Sequence, residues 1–204
     1  MKHRILNLYL IMGLSLIFSP LGMGQALFQE GVDYKVRPGL PSSTLEFKEF
    51  FSYSCPHCYE FDSVIAGYLK SAPEEYSFKR IPVSFGRDTW KKSAQVYTLA
   101  QFLSLKETLH TKIFERIHKE HKPFKNDQEI KGFFIANGVT EERFNKISNS
   151  FAVKSRYKSN ELLNKKYSIS SVPTLIVRDV YQIELRSVKN SAKLRQLVDY
   201  LMRL

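Results

Sequence analysis

One eleven-residue stretch constrains this chain more than any other. Phe51-Ser-Tyr-Ser-Cys-Pro-His-Cys-Tyr-Glu-Phe61 holds Cys55 and Cys58, the only two cysteines among 204 residues. It lies where one hydrophobic period changes into another. Before it, Thr44–Phe51 is rich in Phe and partly alternating, which predicts a strand. After it, Phe61, Ile65, Tyr68 and Leu69 recur at helical spacing, which predicts a helix from the CPHC segment to about Lys70. Ser71-Ala72-Pro73 ends that helix, and Tyr76–Val83 reads as a second strand. Strand, helix, strand within about 40 residues is a βαβ unit, and such crossovers are nearly always right-handed. The chain is therefore expected to be α/β.

From Asp88 to Tyr167 the pattern turns helical throughout. Thr89–Ser104, Glu107–Glu120, Asp127–Ala136 and Thr140–Lys166 are expected helices, the last one broken near Ser148–Ser150. Pro123 and Asn137-Gly138 separate the later ones. Thr174–Val177 and Tyr181–Leu185 then read as a hairpin, and Ser191–Leu204 as a closing helix. No internal repeat or low-complexity linker interrupts this order.

Residues 1–26 stand apart from it. Lys2, His3 and Arg4 precede the apolar run Ile5–Phe18, and Gly24 and Ala26 supply the small residues of a signal-peptidase site. About 14 apolar residues are too few for a spanning helix, which needs about 20. A cleavable signal peptide is expected. Its removal takes Lys2 and Arg4 and lowers the formal net charge from +11 to +9. The basic residues are spread from Lys91 to Arg203 among Glu and aromatic residues. That spread reads as a solvated basic surface able to attract acidic partners, and no specific nucleic-acid site is expected.

Three chemistries are open to a Cys-x-x-Cys pair. As a structural staple it would close four residues, worth only about 2 kcal/mol against about 4.7 kcal/mol for a 100-residue loop. As half of a zinc site it needs two more ligands. His118 and His121 share its spacing, but they lie about 60 residues away, on a polar helix where exposed histidines are ordinary. No metal site is expected. The third chemistry is redox exchange, and it accounts for more of the surrounding residues. Pro56 suits the first position of a helix, where its missing N–H costs nothing. Unpaired N–H groups at that terminus favour a thiolate, which makes Cys55 the low-pKa, exposed nucleophile and leaves Cys58 shielded a turn inside. His57 adds positive charge beside Cys55. A Cys-x-x-Cys at a strand-to-helix junction of a βαβ unit points to thiol–disulfide exchange.

At these residues the chain resembles the DsbA family of thiol:disulfide oxidoreductases. Glu49–Tyr59 is similar to the family's active-site stretch, including its Cys-Pro-His-Cys. Asn149–Ser155 resembles a segment late in the family's helical region, and Ser171–Val177 the loop and strand that carry its cis-proline. The resemblance runs from about residue 44 to 178. It implies a thioredoxin fold over residues 27–87 and 168–204, interrupted by a helical insertion at 88–167.

The resemblance further implies that Cys55 is attacked by client thiolates and that Cys58 is released. Pro56, His57 and Glu49 would tune the pair, while Val172 and a cis Pro173 would face it and bind client backbone. The expected activity is that of a periplasmic dithiol oxidase whose Cys55–Cys58 disulfide serves in place of any cofactor. Its clients would be reduced exported proteins, its reoxidant a DsbB-like membrane quinone reductase, and the protein a monomer. The rivals are a reductase or isomerase, and a basic binding protein with a structural Cys-x-x-Cys.

Glu49 shares a face with Leu45, Phe47 and Phe51. It is either at an edge, reaching water, or the buried acid that the resemblance implies beneath the active site. There it would exchange a proton with Cys58. Its basic partner is left open between Lys79 and Arg80. Two departures from the family stand out, the basic charge and the absence of Asn-Gly in the hairpin turn.

Overall fold

The computed structural model describes residues 27–204, so the expected signal segment lies outside the described residues. Five strands form one sheet in the order β1-β5-β4-β2-β3. These are β1 (Tyr34–Val36), β2 (Glu46–Phe51), β3 (Ser77–Pro82), β4 (Thr174–Val177) and β5 (Tyr181–Ile183). β2 pairs in parallel with β3 and antiparallel with β4, which makes it an interior strand. Its six residues are all buried, so the edge position open to Glu49 from sequence is not the one it occupies.

The connection from β2 to β3 is α1 (Pro56–Leu69), which packs with α7 (Ser191–Arg203) on one face of the sheet. Phe47, Leu175 and Val177 of the strands meet Ile65 and Tyr68 of α1 there, and Leu194, Leu197, Val198 and Leu201 of α7. Leu194, Leu197, Val198 and Leu201 fall at i, i+3, i+4 and i+7, the spacing that lays one apolar stripe on a sheet. The opposite face carries Phe50, Ile81, Val83 and Ile176 against Leu163 and Tyr167.

Between β3 and β4 the chain forms α2 (Asp88–Phe102), α3 (Lys106–His118), α4 (Asp127–Ala136), α5 (Glu141–Ser148) and α6 (Phe151–Lys166). The break expected near Ser148–Ser150 is the α5–α6 junction. Ser150 caps α6 by accepting the Val153 N–H at 3.3 Å, a donor that no helical carbonyl can reach. These helices share a core with the end of β2, since Phe51, Tyr53, Cys55 and Cys58 are buried among Tyr97, Ile113, Phe114 and Phe134. Among the described residues, no helix is long and apolar enough to cross a membrane.

Two elements differ from the sequence reading. β1 was not expected, because its three residues carry too little alternation, and it is held by pairing with β5 nearly 150 residues away. β5 ends at Ile183 instead of Leu185, where Leu185–Ser187 form one turn of 3-10 helix. The hairpin turn is also resolved. Arg178 and Asp179 both adopt left-handed backbone, with φ of 47° and 71°. Asn-Gly usually supplies that conformation. Here the Asp179 carboxylate is held by Lys48 and by the Tyr167 hydroxyl, the latter at 2.7 Å.

Candidate functional site

β2 ends at Phe51 and α1 begins at Pro56, so the intervening loop presents Cys55 as the residue capping the helix. Its backbone is extended (φ −95°, ψ 118°), and Pro56 takes the first helical position. The loop is tied down on three sides. The Cys55 N–H donates to Ser52 O at 3.1 Å, and the Ser54 hydroxyl lies 2.6 Å from that of Ser93 on α2. The third tie is His118, whose Nε2 donates to the Tyr53 carbonyl at 2.8 Å. His118 is thus not an ordinary exposed histidine. It stacks on Tyr59 at 4.9 Å beside the cysteine pair, with the ring planes 6° apart. Among the described residues, no group of three or more His, Cys, Asp or Glu side chains is placed to hold a metal.

The two thiols differ sharply. Cys55 is lowered to about 6, chiefly because the Cys58 thiol donates to its sulfur. Burial works against that shift, while the backbone N–H groups of Cys58 and His57 and the charge of His57 reinforce it. Cys58 is pushed far up by burial, by its hydrogen bond to Cys55, and by the nearby charges of Cys55 and Glu49. Cys55 was expected to be exposed, yet only 5% of it is accessible. The covering group is the loop before β4. The Val172–Pro173 bond is cis, and the Val172 carbonyl lies 3.5 Å from Cys55 Sγ. Pro56 and His57 take the exposed positions beside the buried sulfur.

Glu49 lies deeper, 2% exposed, in register with Arg80 on β3. Arg80 Nε donates to Glu49 Oε2 at 2.7 Å, which assigns the basic partner left open between Lys79 and Arg80. Lys79 faces the other side of the strand and pairs with Glu46. Burial pushes the Glu49 carboxyl up, and the Arg80 charge pulls it back without cancelling the shift. Arg80 also donates through Nη2 to Asp62 Oδ1 at 2.8 Å. The sequence reading missed Asp62, although it left a signal. Asp62 stands four residues after Cys58 on α1, so it is an acid on the buried face of an amphipathic helix.

A poised thiol, a shielded thiol behind it, a cis-proline loop over both and a buried acid beneath make a site for thiol–disulfide exchange. Residues 46–201 match the model of the DsbA-like thioredoxin domain. The chain belongs to the DsbA-like thioredoxin family. It is similar to the thiol:disulfide interchange protein DsbA of Azotobacter vinelandii, 34% identical over 158 residues, covering 78% of this chain and 73% of that protein. It is 32% identical to DsbA of Pseudomonas aeruginosa over 158 residues, 78% of this chain and 74% of the relative. The crystal structure of Pseudomonas aeruginosa DsbA superposes with a TM-score of 0.76 at 30% identity, covering 86% of this chain and 93% of that one. This DsbA-like chain is accordingly a protein thiol:disulfide oxidoreductase with a thioredoxin fold and a helical insertion.

Proposed function

We propose that the chain is a dithiol oxidase, which passes a Cys55–Cys58 disulfide to reduced exported proteins. The single observation that carries exchange through Cys55 is the asymmetry of the two thiols. A client thiolate attacks Cys55 Sγ, the Cys55–Cys58 bond breaks, and Cys58 leaves with the electron pair. Glu49, held towards its protonated form by burial, supplies the proton that Cys58 then keeps. A protonated Cys58 is a poor nucleophile, so it does not return to expel the client. A second client thiolate attacks the client sulfur of the mixed disulfide and expels Cys55 as thiolate. The client has then lost two electrons and gained a disulfide, and the enzyme holds the dithiol. A DsbB-like membrane quinone reductase takes those two electrons onward, and the leader-like residues 1–26 support a periplasmic setting for the exchange.

The loop of Val172 and Pro173 supports client binding, because an extended client backbone can pair there without reading side chains. Magnitudes bear on how oxidising the pair is. Cys values of ~3.5 and ~7 and potentials of ~−120 and ~−270 mV describe the family's type member, DsbA, and thioredoxin. Moving a thiol from ~7 to ~3.5 stabilises the dithiol by about 4–4.5 kcal/mol at pH 7. With Cys55 at about 6 the same gain is only about 1 kcal/mol, or roughly 20 mV. This favours a milder oxidant than the type member, and it requires a further contribution from the disulfide form.

Equilibration with glutathione tests the direction. The proposal requires a potential above about −220 mV, and a lower value assigns the chain to the reductases. Cys55→Ser is expected to abolish disulfide formation in a reduced client. A basic binding module whose Cys-x-x-Cys merely shapes a loop would keep its ligand in that variant.

A further inference from the structure

Helix α3 grips Tyr53, two residues before Cys55, at both ends. His118 holds its carbonyl, and at the other end His110 Nδ1 lies 2.8 Å from the Tyr53 hydroxyl. His110 reaches further than His118. Its Nε2 is 2.8 Å from Asp62 Oδ1, the same oxygen that accepts from Arg80 Nη2. An unbroken chain, Tyr53–His110–Asp62–Arg80–Glu49, therefore runs from the helical insertion to the acid beneath Cys58. It joins the active-site loop, α3, α1, β3 and β2.

Every link is satisfied when the imidazole Nε2–H donates to the Asp62 carboxylate, which also accepts from Arg80, and Nδ1 accepts from the Tyr53 hydroxyl. Burial drives Tyr53 well above the usual phenol range, which keeps that proton in place. Asp62 is held below the usual carboxylate range by His110 and Arg80, against its burial. The other groups facing this chain are Tyr97 on α2, which donates to the Arg80 carbonyl at 3.1 Å, and Glu107 on α3.

Arg80 is the divided member. Its Nε serves Glu49 and its Nη2 serves Asp62, with the side chain only 6% exposed. Asp62 is partly exposed, and without His110 only Arg80 holds it against turning to water. A buried guanidinium that loses one carboxylate leans on the other, because its charge must be compensated inside the protein. The Glu49 carboxylate would then be favoured over the acid.

We propose that His110 is a positioning residue for the exchange reaction. By fixing Asp62 on Arg80 it limits how far Arg80 turns to Glu49, and so sets how readily Glu49 exchanges a proton with Cys58. The proposal rests on the reading of Glu49 as the acid serving Cys58, and the test separates the two.

The experiment follows mixed-disulfide formation between the oxidised chain, residues 27–204, and a single-cysteine peptide, by stopped flow from pH 5 to 9. Differences from wild type isolate the enzyme group from the titration of the peptide thiol. In His110→Leu the enzyme midpoint is expected to move down by about half a unit or more, with the rate at pH 7 falling about threefold. His110→Gln offers a donor to Asp62 and an acceptor to Tyr53 and is expected to stay within about twofold of wild type. Asp62→Asn releases Arg80 directly and is expected to reproduce the downward shift even if His110→Leu fails to fold. Glu49→Gln should remove the enzyme midpoint altogether. A loss of folding stability alone would not move a midpoint in this way.

Two results overturn the proposal, with different signatures. If Glu49→Gln removes the midpoint while the His110→Leu or Asp62→Asn midpoint stays at the wild-type value, His110 has no part in the step and Glu49 keeps its role. If Glu49→Gln leaves the profile unchanged, the role of Glu49 falls and the proposal falls with it.

Discussion

At Cys55 two demands on an exchange nucleophile oppose each other. A thiolate is stabilised by converging donors and destabilised by removal from water. With 5% exposure the sulfur bears the second cost, and the Cys58 thiol and the helix N–H groups outweigh it, leaving Cys55 at about 6. A thiol lowered on folding stabilises the reduced protein above that pH and loses the effect as pH falls through about 6. Reduced protein should therefore gain roughly 2.5 kcal/mol of folding stability between pH 5 and 8 relative to the oxidised form. Urea unfolding of both forms across that range checks it, and parallel profiles would contradict the assignment. Arg80 makes a second case. Arg80→Leu leaves Glu49 buried without its partner, for an expected loss of about 3 kcal/mol. The sign with pH follows from Glu49. Its folded value would rise further above the unfolded one, so the loss should grow as pH rises above about 4.3. Equal losses at pH 4 and pH 8 would show that Glu49 is not what Arg80 compensates.

Among the elements, α1 and α7 carry the closest approach. Gly67 sits inside α1, where glycine costs about 1 kcal/mol relative to alanine. A Cβ there would meet Ser191 Cβ and Oγ at 2.7 Å, so the glycine lets α7 lie against α1 and cover the sheet. Gly67→Ala is expected to destabilise by about 1–2 kcal/mol despite its better helix propensity, because the helix pair must separate. A higher midpoint of thermal unfolding would refute this. The elements were legible in the sequence wherever the period ran long enough. α1, α4 and α7 fall within a residue or two of their expected bounds, and the α5–α6 break lies where Ser150 offers a cap. β1 was illegible because three residues cannot display an alternation. Glu49 was ambiguous for another reason. An acid on an apolar strand face reads the same at an edge as in the interior, and only the place of β2 between β3 and β4 separates the two.

For the molecule as a whole, the insertion and the sheet domain share a core. Phe51, Tyr53 and Cys58 are buried with Tyr97, Ile113, Phe114 and Phe134, so the insertion completes its hydrophobic cluster only with residues of the sheet domain. Unfolding should be a single transition. The fluorescence of Trp90, the only tryptophan and part of the insertion, should change together with the far-UV signal of the whole chain. Two separated midpoints would show that the insertion folds on its own. The amino-acid order by itself determined the βαβ…ββα arrangement, the helical insertion and the placing of Cys55 at a helix N-terminus with Cys58 shielded a turn inside. These depend on local periods and on one helix terminus, which neighbouring residues specify. Only the tertiary structure decided that Arg80 and not Lys79 meets Glu49, that the Val172 carbonyl covers Cys55, and that His110 reaches Asp62. Each of these joins residues 31 to 117 positions apart. Strand register and helix packing set such contacts, and neither is written in the local sequence around any one partner.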